Sequence, residues 1–259
     1  MDDRASGDAK VVNAARFLLE ARASRRSPSP PPEELAPADE AEAWAIHEAV
    51  VASLGPVVAW KVGAASPQAA PGFGLITAET LFKSPARFAA DAFVLTAVEA
   101  EIAVTFRDDM SAREAPYSVE EVFGAIASWH AAIEVLDTAF ADWKATPALW
   151  KVADRQSHGG LVVGPGVSAP PAGPLGRLAV KLEIDGETTF SHEGGNTAGD
   201  PARLLVHLVN ARRGTARPIL AGDIVTTGSA TPFLQAKPGQ TVRASFDGLP
   251  AAELSISAG

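Results

Sequence analysis

Two glutamates separated by one residue are the side chains of this sequence best suited to chemistry. Glu99 and Glu101 lie in the run Val98-Glu99-Ala100-Glu101-Ile102-Ala103-Val104. Side chains alternate between the two faces of a β-strand, so both carboxylates point the same way, about 7 Å apart. Like charges this close repel unless a cation neutralises them. The pattern indicates a divalent-cation site, and a solvated strand face is the alternative.

A third carboxylate could complete such a site. Glu134 lies in the nearly apolar run Ala131-Ala132-Ile133-Glu134-Val135-Leu136-Asp137, where an unpaired buried carboxylate is costly. Ligands that are all oxygen suit Mg²⁺ or Mn²⁺ better than zinc. The chain contains no cysteine, which excludes thiolate–zinc sites, iron–sulfur clusters and cysteine nucleophiles. A buried glutamate paired with an arginine is the alternative for Glu134.

Lys61 is the one cation in an otherwise apolar strand-like run, Val57-Val58-Ala59-Trp60-Lys61-Val62-Gly63. Lysine is almost never fully buried without a partner. Three interpretations stay open at this point. Lys61 is a catalytic amine with a shifted pKa, a structural partner of Glu134 or Asp137, or an edge-strand residue whose amine reaches water.

The segment Ala153-Asp154-Arg155-Gln156-Ser157-His158-Gly159-Gly160 precedes an apolar strand and is a candidate pocket lining. Ser157 beside His158 does not indicate a catalytic triad, because neighbouring residues of an extended chain face apart. The remaining histidines lack the spacing of metal ligands, and the sequence contains no HExxH, GxGxxG or P-loop motif.

The elements that position these residues follow from hydrophobic spacing and turn signals. A first helix ends in the basic residues 22–26, and the proline-rich residues 27–32 interrupt it. Further helices are predicted over residues 37–54, 118–129 and 200–213. Strands are predicted over residues 57–63, 93–106, 132–137, 160–163 and 223–228, and residues 72–81 are ambiguous between strand and loop. Hairpins are predicted over residues 178–190 and 241–254, turning at Asp185-Gly186 and Asp247-Gly248.

Composition limits the class of protein. The chain has 259 residues, 47% of them apolar, and 31 acids against 22 lysines and arginines give a formal charge of −9. This balance argues against a nucleic-acid partner, because phosphate binding needs clustered basic residues. Apolar runs are too short for a membrane span, and the N-terminus lacks the features of a signal peptide. The sequence predicts a cytoplasmic α+β protein, with an N-terminal helical and small mixed region over residues 1–90 and a β-rich catalytic domain over 91–259.

Five short motifs occur in a fixed order over nearly the whole chain, and together they resemble one family. The motifs are Trp60-Lys61-Val62-Gly63, Val98-Glu99-Ala100-Glu101-Ile102-Ala103, Ile133-Glu134-Val135-Leu136-Asp137, Ala153-Asp154-Arg155-Gln156-Ser157 and Leu220-Ala221-Gly222-Asp223-Ile224-Val225-Thr226-Thr227-Gly228-Ser229. The chain resembles the hydratase/decarboxylase branch of the fumarylacetoacetate hydrolase superfamily, whose type members are 2-oxopent-4-enoate hydratase and 4-oxalocrotonate decarboxylase. The resemblance implies a mixed β-roll of the family's C-terminal-domain type, with an N-terminal helical extension, assembled as a homo-oligomer.

The resemblance also implies roles for particular residues. The family's three metal-binding carboxylates fall on Glu99, Glu101 and Glu134, and its active-site lysine falls on Lys61. The implied cofactor is Mg²⁺ or Mn²⁺. The implied activity is that of a divalent-metal-dependent lyase of aromatic catabolism, which hydrates 2-hydroxy-2,4-dienoates to 4-hydroxy-2-oxo acids through a metal-bound enolate.

Two further residues take roles from the family pattern, and two stretches depart from it. The pocket serine falls on Ser157, and Glu79 is the candidate for an acidic residue that follows the glycine-containing loop. Where the family often has Asp-Ser-Arg, this chain has Asp137-Thr138-Ala139, and where it often has Asp-Asn, this chain has Asp154-Arg155. These departures bear on the substrate rather than on the metal.

Three other functions remain open on the sequence. A metal-bound enolate would also serve a decarboxylase of 2-oxo-3-enedioates such as 4-oxalocrotonate. It would likewise serve an acylpyruvate-type C–C hydrolase. The hydrolase needs a positioned water and base, for which the sequence shows no His–Glu signature. The non-enzymatic alternative is an inactive assembly partner of a hydratase–decarboxylase complex.

Overall fold

In the computed structural model, residues 3–25 and 31–259 are described, and they form five α-helices and thirteen β-strands. The helices are α1 (Asp3–Ser24), α2 (Glu40–Ala52), α3 (Val119–Gly124), α4 (Ala148–Ala153) and α5 (Pro201–Arg212). The strands are β1 (Val57–Gly63), β2 (Gly72–Thr77), β3 (Leu81–Lys83), β4 (Ala86–Phe88), β5 (Ala97–Phe106), β6 (Ile126–Leu136), β7 (His158–Val163), β8 (Ala179–Ile184), β9 (Glu187–Glu193), β10 (Ile224–Ser229), β11 (Leu234–Gln235), β12 (Thr241–Phe246) and β13 (Leu249–Ile256).

The N-terminal helices form a small core of their own. α1 and α2 pack against each other, and α2 packs against α4, around a separate apolar cluster that includes Leu18, Ile46 and Trp150. α2 begins at Glu40 because the Asp39 side chain accepts a hydrogen bond from the Glu42 amide, at 2.8 Å. The helix predicted over residues 37–54 is therefore confirmed with narrower bounds. Most of the predicted break at residues 27–32 lies outside the described residues.

The larger sheet carries the residues that the sequence singles out. Its strand order is β2-β1-β10-β5-β6-β7-β3, and β11 pairs with β5. β2 and β3 stand at opposite ends of this order, yet only the short turn Ala78–Thr80 joins them. Because three residues bring the two edges together, the sheet curls into a roll. The predicted mixed roll is confirmed, with both parallel and antiparallel pairs.

The smaller sheet covers the apolar face of the larger one. Its order is β4-β13-β12-β8-β9, and β12 and β13 pack against β6. Val98, Ala100, Ile102 and Val104, the alternate residues of β5, belong to the core cluster between the sheets. Burying that face leaves the glutamates of β5 on the opposite face of the strand. Both predicted hairpins form, with β8–β9 turning at Asp185-Gly186 and β12–β13 at Asp247-Gly248.

The helix predicted over residues 118–129 is wrong beyond its first turns. α3 ends at Gly124, and β6 runs for 11 residues from Ile126, so the strand predicted over 132–137 is much longer than expected. The Ser118 capping box starts the helix as predicted. Pairing with β5 along almost the whole of β6 then outweighs the helical spacing, because each residue added to this ladder also adds buried contacts.

The predicted boundary at residue 90 runs through the sheets. β1, β2 and β3 precede it and pair with β10 and β7, while β4 pairs with β13. The N-terminal region and the β-rich region thus share hydrogen-bonded sheets. Within the described residues, none of the helices combines the length and hydropathy needed to cross a membrane.

Candidate active site

Three glutamates meet on one face of the strand pair β5–β6. Glu99 is the register partner of Glu134, and Glu101 lies two residues further along β5. One carboxylate oxygen of each glutamate lies within 4.8 Å of the corresponding oxygens of the other two. Strand alternation brings Glu99 and Glu101 to the same side, and cross-strand pairing adds Glu134. The three predicted candidates are therefore neighbours.

Lys61 reaches the same cluster from β1. Its Nζ donates to Glu134 Oε1 at 2.6 Å and to the backbone carbonyl of Gln156 at 3.2 Å. β1 lies between β2 and β10, so the edge-strand interpretation of Lys61 is wrong. Among the described residues, Lys61 forms its ion pair with Glu134 and none with Asp137.

β10 holds Glu101 in place. The Thr226 hydroxyl and the Gly228 amide, the latter at 3.0 Å, both donate to Glu101 Oε2. Gly228 has a φ of +74°, and a Cβ there would lie 3.2 Å from the Gly63 Cα of β1. The close approach of the two strands therefore requires glycine at this position.

His158 is a member of the site that the sequence reasoning missed. It lies on β7, fully buried, and its Nδ1 is 2.8 Å from Glu134 Oε1. Its Nε2 is 3.0 Å from the Thr80 hydroxyl. Because a carboxylate only accepts, Nδ1 carries the proton in this arrangement. The available signal was a histidine opening a fully apolar strand, where a buried imidazole needs a partner.

Burial sets the protonation of two of the glutamates. Burial, with the neighbouring Glu134 carboxylate adding to it and Lys61 opposing it, raises the pKa of Glu99 to about 7. Burial also raises the pKa of Glu101 well above its ordinary range, with Glu134 and Glu99 adding to the effect. Their raised pKa values mean that a nearby positive charge would favour the ionised form of both carboxyl groups.

The groups that surround Glu134 have the opposite effect on it. Burial alone would raise the pKa of Glu134, but Lys61 and His158 together bring it below its ordinary value. Burial tends to lower the pKa of Lys61, and the carboxylates of Glu134 and Glu101 raise it instead. Burial lowers the pKa of His158 to about 4, despite its bond to Glu134. Lys61 is therefore an ammonium ion and His158 a neutral imidazole at neutral pH.

The cluster lines a cavity of about 370 Å³. Small residues of β1 and of the segment that follows it make up much of its wall. The lining residues are Lys61, Val62, Gly63, Ala64, Ala65, Ala70, Gly72, Glu99, Glu101, Glu134, Gln156, Thr197, Gly228 and Ser229. A cavity of this size accommodates a small organic acid beside the glutamates.

Two other predicted residues lie outside this lining. Ser157 is buried, and its Oγ accepts a hydrogen bond from Trp143 Nε1 at 2.8 Å. Its neighbour Gln156 takes the place at the cavity wall. Glu79 is exposed in the turn Ala78–Thr80 and does not join the glutamate cluster. Their catalytic roles stay predictions.

The residues present fit a divalent cation. Within the described chain, Glu99 accepts no hydrogen bond, and Glu101 and Glu134 each receive donors on one oxygen only. The remaining oxygens are hard ligands without protein partners, in a group compact enough for one ion. Glu99, Glu101 and Glu134 would hold such an ion.

Comparison with known proteins agrees with the resemblance seen in the sequence. The family described as fumarylacetoacetate (FAA) hydrolase C-terminal matches residues 36–257. A 2-keto-4-pentenoate hydratase of Paraburkholderia phymatum is 29% identical, over 97% of this chain and 99% of its own length. A 2-keto-4-pentenoate hydratase of Burkholderia vietnamiensis is also 29% identical, over 94% of this chain and 96% of that protein.

A solved structure has the same fold. It is 4-oxalocrotonate decarboxylase from Pseudomonas putida G7, complexed with magnesium and adipate. The TM-score is 0.83 and the alignment covers 96% of this chain and 98% of the decarboxylase, at 20% sequence identity. At this identity the likeness establishes the shared α+β roll and its helical N-terminal region.

Proposed function

The chain belongs to the fumarylacetoacetate hydrolase family, and from that premise we propose that it is a divalent-metal-dependent hydratase of 2-hydroxy-2,4-dienoates. The reaction adds water to 2-hydroxypenta-2,4-dienoate and gives 4-hydroxy-2-oxopentanoate. The observation that carries the proposal is the Glu99–Glu101–Glu134 cluster with Lys61 bonded to it, on the wall of a small-molecule cavity. The hydratase names of the near full-length relatives support the same reaction.

Mg²⁺ or Mn²⁺ is the proposed cofactor, held by the three glutamates. When bound, a divalent cation supplies positive charge that stabilises an anionic 2-oxo acid and the negative charge that develops on it. The structurally similar decarboxylase is complexed with magnesium, which supports this choice of ion class.

Lys61 is the proposed proton carrier. Two of its three N–H groups donate to Glu134 and Gln156, and the third has no acceptor in the part of the chain that the structure describes. Hydration removes one proton from the 2-hydroxyl and one from water, and it adds one proton to each of two carbons. An amine at the cavity wall that gives and regains a proton connects these steps. The bond to Glu134 holds Nζ in position throughout.

The cavity favours hydration of a monocarboxylate over decarboxylation of an enedioate. Among its lining residues Lys61 is the sole cation, and Glu134 already pairs with it. The hydroxyls of Thr197 and Ser229 donate to the backbone carbonyls of Ala64 and Thr231, so they offer acceptors to the cavity. A second substrate carboxylate needs donors or a cation. The hydroxyls of Thr197 and Ser229 supply neither, and the remaining N–H of Lys61 is the one that the proposed proton transfer uses.

A two-substrate assay tests the proposed function. Purified protein with Mg²⁺ is given 2-hydroxypenta-2,4-dienoate or 2-oxohex-3-enedioate, and loss of dienoate absorbance and release of CO₂ are followed. We expect hydration of the dienoate, with a higher kcat/KM than for any turnover of the enedioate. Faster CO₂ release from the enedioate would establish the decarboxylase instead. Conversion of neither substrate would overturn the enzymatic proposal.

The assembly and location remain proposals of the same kind. A cytoplasmic homo-oligomer with a small-molecule substrate is the arrangement that agrees with the acidic composition and the family. Sedimentation analysis of the purified chain measures the subunit number, and a monomer at all concentrations would contradict the oligomer.

A further inference from the structure

The position of Lys61 depends on a backbone carbonyl as well as on a carboxylate. Its Nζ donates to Glu134 at 2.6 Å and to the carbonyl oxygen of Gln156 at 3.2 Å. An ammonium group fixed by one bond alone can rotate its other N–H groups, whereas two bonds in different directions fix where the third points. The location of the Gln156 carbonyl therefore decides how Lys61 faces the cavity.

That carbonyl belongs to an unusual turn. Arg155, Gln156 and Ser157 have φ values of 55°, 50° and 61°, so three successive residues other than glycine are left-handed. Residues other than glycine are strained in this region and keep such a conformation only where their surroundings hold it. The turn is tied down at its end, where Asp137 N donates to the Ser157 carbonyl at 2.9 Å and Trp143 Nε1 donates to Ser157 Oγ.

Arg22, in the last turn of α1, connects Asp154, the residue before the turn, with Asp137, which is hydrogen-bonded to the end of the turn. Its Nε donates to Asp154 Oδ1 at 2.7 Å, and its Nη1 donates to Asp137 Oδ2 at 3.0 Å. Its Nη2 donates to the backbone carbonyls of the same two residues, at 3.3 Å for Asp137 and 3.5 Å for Asp154. Asp154 directly precedes the turn, and Asp137 bonds to its last residue. One guanidinium thus sets the separation of the two ends.

A second arginine shows that charge alone does not hold the turn. Arg155 is 7% exposed, and its guanidinium makes no hydrogen bond or ion pair with any residue that the structure describes. The Asp137 and Asp154 oxygens are already occupied by Arg22 and by the amides of Val94, Leu95 and Ala139. Both arginines place a positive charge near the turn. Arg22 differs from Arg155 because its guanidinium is hydrogen-bonded to Asp137 and Asp154.

We propose that Arg22 is a positioning residue for Lys61, acting from the N-terminal helix through the left-handed turn Arg155–Ser157. The inference rests on the proposed function of Lys61. It assigns to α1 a part in the reaction, although no α1 residue whose side chain the structure describes lines the cavity. The competing interpretation is that Arg22 merely fastens α1 to the rest of the molecule.

Arg22→Ala, with Arg25→Ala as its matched control, separates the two interpretations. Arg25 stands at the same end of α1 and pairs with Asp91 at 2.6 Å, away from the turn. We expect Arg22→Ala to lower kcat by about 100-fold, since a misplacement near 1 Å has that effect, with KM and Mn²⁺ affinity within about threefold of wild type. Arg25→Ala should keep the wild-type kcat. Hydrogen–deuterium exchange of residues 154–158 should rise only in Arg22→Ala.

Chemical rescue provides a readout that a fastening role would not move. The Arg22 side chain is 12% exposed, so millimolar guanidinium can enter the space left in Arg22→Ala, and we expect a saturable recovery of kcat. A wild-type kcat in Arg22→Ala would overturn the proposal, and so would joint loss of kcat, metal affinity and thermal stability without rescue. An inactive wild-type enzyme would instead count against the proposed function.

Discussion

At the scale of single residues, one amine carries the proposed proton chemistry. Lys61 is held between a carboxylate and a carbonyl, and the surrounding glutamates keep it charged. The same contact satisfies Glu134, which would otherwise be an unpaired buried carboxylate. The structural role of Lys61 and its proposed catalytic role are therefore combined in one ion pair.

Lys61→Met is the direct test of that amine. Loss of the proton carrier should lower kcat about 10²- to 10⁴-fold, while the three glutamates still bind Mn²⁺. Lys237→Met, on an exposed residue, is the control and should keep the wild-type kcat. Steady-state kinetics with a parallel Mn²⁺ titration check both points. A Lys61→Met enzyme with more than a tenth of the wild-type kcat would remove Lys61 from the mechanism.

At the scale of the elements, strand alternation made much of the cluster predictable. Glu99 and Glu101 share a face because strand side chains alternate, and their opposite face is buried between the sheets. His158 was not predictable in the same way, since its partner Glu134 lies 24 residues away and meets it only through β6–β7 pairing. The left-handed turn before β7 was also hidden, because nothing in Arg155-Gln156-Ser157 favours positive φ.

His47 shows how one buried group joins three elements and makes stability depend on pH. From α2 its Nδ1 donates to the Val152 carbonyl of α4, and its Nε2 accepts from the Leu75 amide of β2. Burial lowers its pKa to about 3. Below about pH 6.5 the unfolded chain therefore binds a proton at His47, whereas His47 of the folded chain stays neutral until the pH approaches 3. The contribution of His47 is complete above pH 6.5 and is lost as pH falls toward 3.

His47→Gln keeps a donor and an acceptor but cannot titrate. Between pH 6.5 and 4, the free energy of unfolding of the wild type should fall more steeply than that of the variant, by about 1.4 kcal/mol per pH unit. Urea unfolding at several pH values measures the difference, with His192→Gln, on an exposed residue, as the control. Parallel curves for wild type and His47→Gln would refute this assignment.

At the scale of the whole molecule, the two sheets share one core. The cluster that includes Val98 and Ile102 of the larger sheet also includes Val242 and Leu254 of the smaller sheet. The face that carries the glutamates is therefore supported from behind by a sheet that contributes nothing to the cavity wall. Loss of that support should disturb the glutamate cluster together with the fold.

Leu254→Ala tests this coupling. The side chain is 2% exposed, and its truncation should destabilise the protein by about 2–5 kcal/mol. Release of bound Mn²⁺ and loss of tryptophan fluorescence should shift to lower urea concentration together. Leu220→Ala, at a residue 37% exposed, should shift both much less. Metal release that stays at the wild-type urea concentration would show that the sheets unfold independently.

The cluster of Glu99, Glu101 and Glu134 underlies the proposed reaction. Mn²⁺ binding tests this cluster without relying on any substrate. Calorimetric titration of chelator-treated protein should give one Mn²⁺ per chain for the wild type and for the control Glu187→Gln, whose residue is exposed on β9. Glu101→Gln should weaken binding about 10-fold or more, since it removes one charged ligand of three. Hydration of the dienoate should fall with it. A wild type that binds no Mn²⁺, or a Glu101→Gln protein that binds as tightly as the wild type, would contradict the proposed metal site.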